Sequence, residues 1–151
     1  MVDVHYAAVQ AVDRRHYSDD VLAAWSPPPD ASRRDWLAAL VSRDSTLCTV
    51  AVSGAESIVG FCIALPDRAL LKALYVHPSF AGLGIGKRLL REVEARCRAL
   101  GLGALELNAS YNAEDFYRRC GYDVQGPVTQ PLTDTVSMEA TRMVKQLAGI
   151  A

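Results

Sequence analysis

Gly82, Gly84 and Gly86 occupy alternate positions in "VHPSFAGLGIGKRLL", between an apolar, strand-like run and a helical pattern. A glycine loop in that position constrains the fold more than any other feature of the chain. Glycine tolerates left-handed backbone, so the chain can turn sharply off the strand and enter the helix at once. The helix then presents bare main-chain N–H groups and the positive end of its dipole, which together make an anion site suited to phosphate. A strand that leads into a crossover helix also needs a parallel partner strand.

The hydrophobic period places the remaining elements around this unit. Val4, Ala8, Ala11 and Val12 line one face of a first helix that fades by Arg15. Ser18 caps a second, "DDVLAAW", whose Asp19 and Asp20 suit the positive end of its dipole, and "SPPPD" stops it. Ser32, with Asp35 at capping-box spacing, opens a third whose buried stripe is Trp36, Leu37, Leu40 and Val41. "TLCTVAV" and "IVGFCIAL" form a hairpin across "SGAES", and "ALLKALYV" is a third strand.

Beyond the loop, Ile85, Leu89, Val93, Cys97 and Leu100 form the apolar stripe of a long helix ended by Gly101. Arg88–Glu92, Glu92–Arg96 and Glu94–Arg98 have the spacing of pairs on its solvent side. "ALELN" is a fourth strand, "AEDFYRRCG" a short helix closed by Gly121, and "YDVQGPV" and "TVSMEATRMV" are two last strands. The fold class is α/β, with a mixed central sheet flanked by helices. No repeat or linker divides the chain, so residues 1–151 are expected to form one domain.

A net charge of −1 gives no broad basic footprint, which argues against nucleic acid as partner. No apolar run reaches the roughly 18 residues of a membrane span, and "MVDVHYAAVQ" lacks the pattern of a signal peptide. Cys48, Cys62, Cys97 and Cys120 form no CxxC pair and have no histidine at zinc-ligand spacing. Free thiols in a reducing, cytoplasmic setting and no bound metal are therefore expected.

Several phosphate loops compete for the glycine stretch. A P-loop needs a glycine where Ala81 stands and a hydroxyl residue, to hold magnesium, where Arg88 stands. A dinucleotide fingerprint needs its third glycine where Lys87 stands. A glycine-rich turn without a ligand is a further alternative. "LYVHPSFAGLGIGKRLL" instead resembles the signature of the GNAT superfamily of N-acetyltransferases: an apolar strand, Val-x-Pro, a short loop, then alternating glycines opening a long helix. "NASYNAEDFYRRCGY" resembles the family's second signature, a tyrosine followed by a basic pair and Gly-Tyr. The two motifs, in the right order, span about Ile58 to Met143, and "RRHYSDDVLAAWSP" is similar to a bacterial subgroup of small members. Two positions depart from the pattern: Ala81 stands in place of Gln or Arg, and Ser110 in place of an asparagine, with Asn112 two places on.

The resemblance implies an acetyltransferase that uses acetyl-CoA as co-substrate. The pyrophosphate would lie on the N–H groups of Gly82, Leu83, Gly84, Ile85, Gly86 and Lys87, with Ser110 or Asn112 contacting the cofactor. The pantetheine arm would pair like an added strand with Leu74, Tyr75 and Val76, where a free N–H could steady an oxyanion. Tyr117 is the implied general acid and Glu106 the candidate base, while His16 and Tyr17 lie in the region that covers the acceptor. His77 reads as solvated, and Cys62 as core filler in "IVGFCIAL". With the cysteines in apolar settings, direct attack by a small-molecule or peptide amine is the expected mechanism. A non-catalytic acyl-CoA-binding or regulatory module on the same fold is the alternative. The family's first strand has no counterpart before the first helix. The sheet is therefore expected to open near Thr46 to Val52, leaving an edge that invites a homodimer.

Overall fold

The computed structural model describes residues 1–147. Helices α1 (Val2–Gln10), α2 (Asp19–Trp25) and α3 (Ala31–Val41) precede the hairpin strands β1 (Leu47–Val52) and β2 (Ile58–Leu65). Strand β3 (Leu70–Val76), the glycine loop and α4 (Ile85–Ala99) follow, then β4 (Ala104–Ala109), α5 (Glu114–Arg119), β5 (Asp123–Pro131) and β6 (Ser137–Gln146). The sheet order is β1-β2-β3-β4-β6-β5. Residues 2–10 are helical, so the sheet opens with β1, which pairs only with β2 and exposes Val50 and Val52. No described helix is long and apolar enough to cross a membrane.

The one parallel junction positions the site. β3 and β4 pair at Leu70 and Glu106, where the Glu106 N–H donates to the Ala69 carbonyl oxygen at 2.9 Å. No further ladder pair joins these strands toward their C-terminal ends, so the sheet is held together there by packing rather than by hydrogen bonds. On one face α4 buries Leu89, Leu90, Val93 and Cys97 against Cys62, Leu71, Leu105 and Leu107. On the other, Val4 and Leu40 cover Phe61 and Ile63.

Five expectations are corrected by this packing. Asp30, not Ser32, caps α3, accepting from the Arg33 N–H at 2.8 Å directly after the proline run. Arg33, Leu37 and Leu40 then share the inward face, so Trp36 lies at the rim and is 62% exposed. On α4, Leu100 falls past the buried stripe, where the chain closes with Gly101 at φ +86° and a bond from Leu102 N–H to the Cys97 carbonyl. Glu94 is no solvent-side residue. It is 2% exposed, takes a 2.8 Å bond from Lys145 Nζ and a 3.1 Å bond from Tyr122 Oη, and stands 3.9 Å from Arg98. Arg96 leaves the expected Glu92 pairing and donates to the Cys48 carbonyl and Thr49 Oγ1, tying α4 to β1.

The buried Glu94 carboxylate makes Lys145 structurally important. Removing its cation leaves a desolvated charge, so Lys145→Met is expected to cost about 3 kcal/mol in urea unfolding. Adding Glu94→Gln to that variant removes the orphaned charge and keeps an acceptor for Tyr122. At least half of the loss should then be recovered.

Candidate functional site

The site grows from the point where β3 leaves β4. His77 N–H donates to the Val59 carbonyl at 2.8 Å, which sets the alternation of the β2–β3 ladder. With Gly60 opposite Val76 and Cys62 opposite Leu74, the main-chain groups of Leu74 and Val76 point away from β2 into the gap. The strand ends in a 3-10 turn, Pro78–Phe80, whose Ser79 N–H is held by His77 Nδ1 at 3.1 Å.

Gly82 and Gly84 then adopt φ of +76° and +78°, the left-handed region that a β-branched residue enters only with strain. Among the described residues, the N–H groups of Gly82 through Lys87 have no intramolecular acceptor. Open space surrounds Gly82 and Gly84, and the exposed Lys87 ammonium has no carboxylate partner among the described residues. This is an unfilled anion cradle at a helix N-terminus. Gly86 plays a different part. It lies in the first turn of α4 against Phe116, where a methyl would meet the ring at 3.5 Å, an ordinary contact, so α5 rests against the start of α4 without requiring glycine here.

That contact sets Tyr117 below the loop. Glu114 anchors the short helix further, accepting from Thr141 Oγ1 at 2.7 Å and from Arg118. Tyr117 is 8% exposed, and burial holds its hydroxyl well above the usual phenol range. Other tyrosine hydroxyls nearby are engaged: Tyr17 donates to the Glu139 carbonyl at 2.7 Å, Tyr122 to Glu94, and Tyr75 accepts from Trp25 Nε1 at 3.1 Å. Among the described residues, the Tyr117 hydroxyl alone of these has no partner, and the residue lines a slot of about 80 Å³.

Two larger cavities flank the slot. One, of about 380 Å³, is lined by Leu74, Tyr75, Val76, Ala81, Ser110 and Asn112, and meets the slot at Leu74, Ser110 and Ala113. The structure thus gathers the sequence-derived candidates on β3 and after β4 at one end of the gap, beside the glycine loop. Ile85 faces elsewhere, into the core under α4, and Leu83 is exposed. His16 lines the same cavity near Asp13. Tyr17 stacks on Tyr111 and accepts its N–H, which makes it a packing residue.

Glu106 is not brought to this cleft. Arg142 grips its carboxylate with two bonds of 2.8 and 2.6 Å and holds it below the usual glutamate range, and the residue lines none of the three cavities.

The second cavity, about 360 Å³, joins the slot through Trp25, Lys72, Ala73, Tyr75 and Gln130. Its walls include His5, Arg33, Trp36 and Phe61. Sequence reasoning did not assign these residues to a site because α1, α3 and β2 supply them separately. The one available signal was a lysine, Lys72, interrupting the apolar run of β3. The Arg33 guanidinium donates to His5 Nδ1 at 3.1 Å, and Ser26 Oγ lies 3.2 Å from the same nitrogen. With Nδ1 accepting, the ring proton sits on Nε2. Burial first, and the Arg33 charge second, lower the His5 pKa to about 4.

The chain matches the family model described as "Acetyltransferase (GNAT) domain" over residues 14–145. It is 29% identical over 68 residues to an uncharacterized N-acetyltransferase, ycf52, of Porphyra purpurea; the match covers 43% of this chain and 39% of that protein. Among solved structures it resembles a GCN5-related N-acetyltransferase (aminotransferase, class II) from Rhodopseudomonas palustris, with TM-score 0.81 and 25% identity over 96% of this chain and 86% of that one. PaiA N-acetyltransferase from Thermoplasma acidophilum, crystallised with coenzyme A, shares the fold at TM-score 0.74 and 20% identity, covering 96% and 89%. So does a phosphinothricin acetyltransferase from Sinorhizobium meliloti, crystallised with acetyl-CoA, at 0.67 and 20%, covering 93% and 84%.

His5 has a consequence for acid stability. Its folded pKa lies below the ordinary 6.5, so the unfolded chain takes up the proton first as pH falls. Stability should therefore drop between pH 6.5 and about 4, by up to roughly 3 kcal/mol. His5→Gln keeps a neutral acceptor for Arg33 and should flatten this loss between pH 6.5 and 4.5, measured by urea unfolding across that range.

Proposed function

The chain belongs to the GNAT acetyltransferase family, and we propose that it transfers the acetyl group of acetyl-CoA to an amine by direct attack within a ternary complex. The observation that carries this reading is the row of unsatisfied N–H groups from Gly82 to Lys87 at the mouth of a gap whose interior holds an unpartnered tyrosine hydroxyl. These groups fit coenzyme A. The amides and Lys87 would hold the pyrophosphate, and Leu74 and Val76 offer free main-chain groups to the amide-bearing arm. Ser110 and Asn112 line the opposite wall. Acetyl-CoA, when bound, supplies an acyl group activated as a thioester.

The protein's own groups then have separable tasks. The free N–H groups of β3 would stabilise negative charge on the carbonyl oxygen without needing to reorient. Tyr117 gives its proton to the departing sulfur; its raised pKa keeps that proton in place through neutral pH. Cys62 is no competing nucleophile, since burial pushes its thiol far above the range in which a thiolate forms.

Three of the groups that could act as a base are weak or engaged, and His16 remains on the wall of the coenzyme-side cavity. His5 is held near pKa 4, Arg15 lowers Asp13 to about 2, and Glu106 is locked to Arg142. The attacking amine enters in its neutral form and loses its proton to solvent or to His16.

Tyr117→Phe tests the assignment. It removes a hydroxyl that has no protein partner, so the fold should be unchanged or slightly more stable. The kcat should fall at least about tenfold while acetyl-CoA affinity stays the same. Wild-type turnover by Tyr117→Phe, under conditions where chemistry limits the rate, would remove Tyr117 from the mechanism. Failure of the wild type to release coenzyme A with any amine would overturn the acetyltransferase reading itself.

A further inference from the structure

The cavity beyond the Tyr117 slot has an unusual charge arrangement. Two cations, Arg33 and Lys72, line it, and no aspartate or glutamate does among the described residues. Several cations elsewhere are paired with carboxylates, Lys145 with Glu94, Arg142 with Glu106 and Arg118 with Glu114, while Arg96, like Arg33, is held by neutral acceptors but borders no such cavity as this one. Arg33 is half-buried, yet its acceptors are the Pro27 carbonyl oxygen, Ser26 Oγ at 3.2 Å and His5 Nδ1 at 3.1 Å, all of them neutral. They orient the guanidinium without cancelling its charge, and its Nε–H meets no acceptor among the described residues.

Lys72 has no hydrogen-bond or ion-pair partner among the described residues. Its place in the strand is also set apart. Ile63 pairs with Ala73 and the adjacent Ala64 with Leu71, so Lys72 is the extra residue of a β-bulge. Bulges re-aim the side chain they carry, here to the junction between cavity and slot. Around the two charges stand Trp25, Trp36, Phe61 and Tyr75, an apolar and largely aromatic wall.

We propose that this cavity binds the acceptor, and that the acceptor is an amine carrying an anionic group, a carboxylate or its equivalent, on an apolar body. The inference rests on the acetyltransferase reading above and names its substrate class. The anionic group pairs with Arg33 and Lys72, the body lies against the aromatic wall, and the amine reaches toward Tyr117 past Ala73 and Tyr75. A half-buried guanidinium without a counter-charge is costly to keep, and a substrate carboxylate removes that cost on binding. Polyamines and other polycations are disfavoured by the same field, because the cavity offers them repulsion and no carboxylate.

Product binding tests the class without requiring turnover. N-acetylphenylalanine and N-acetylphenethylamine differ only in the carboxylate, and calorimetry with coenzyme A present compares them. The acid should bind at least about tenfold more tightly, the usual size of a hydrogen-bonded charge contact. Lys72 is exposed, so Lys72→Gln and Lys72→Glu should fold normally; the first should shrink the preference severalfold and the second abolish it. Equal binding of the two compounds, or a preference untouched by both variants, would overturn the proposal. Retained preference without any acetyl transfer would leave the anionic ligand class standing and defeat the enzymatic reading instead.

Discussion

β3 and β4 share a single paired position, Leu70 with Glu106, and the rest of the candidate site depends on their parting. A parallel ladder that continued would satisfy the main chain of Leu74 and Val76, and would close the slot where Tyr117 lies. Because the strands diverge, polar backbone is left facing a gap inside an otherwise well-packed sheet. Such groups need partners, and a ligand with amide groups of its own can supply them. The sheet tolerates the gap because α4 and the C-terminal strands bind its two halves from one side, through Leu89, Val93, Leu107 and Met143.

The glycine loop and α5 exploit that gap in complementary ways. Left-handed backbone at Gly82 and Gly84 turns a run of N–H groups outward at its mouth. Gly86, in ordinary helical conformation, packs instead beside Phe116, the neighbour of Tyr117 on α5. The loop thus sets the anion cradle, and α5, packed against its end, carries the buried Tyr117 whose hydroxyl no described group engages.

Much of this was legible in the sequence, because it is local. The change of hydrophobic period marked the hairpin, β3 and α4, and the alternating glycines marked the cradle. The family resemblance pointed to Tyr117. What the sequence concealed depends on long-range packing. Glu94 has the spacing of a surface pair with Arg98, but Tyr122, just before β5, and Lys145, on β6, draw it inside. Glu106 looked free to act as a base until β6 placed Arg142 beside it. The second cavity was not assembled from the sequence, which offered only the aromatic stretch ending in Trp25 as an acceptor wall, since Lys72, Arg33, His5 and Trp25 come from four elements and meet only in the fold. Trp36 misled for a related reason: Leu37, Leu40 and Val41 of its expected stripe do pack inward, but no neighbouring element covers Trp36 at the stripe's margin.

The central claim is that acetyl-CoA completes the hydrogen bonding left open where the strands part. Amide hydrogen exchange, read residue by residue with and without acetyl-CoA, tests it most directly. The account predicts that ligand slows exchange at Gly82 to Lys87 and at Leu74 and Val76 by at least tenfold, with the far edge at β1 unchanged. Saturating acetyl-CoA that leaves those amides exchanging as before, or that protects a different surface, would contradict it.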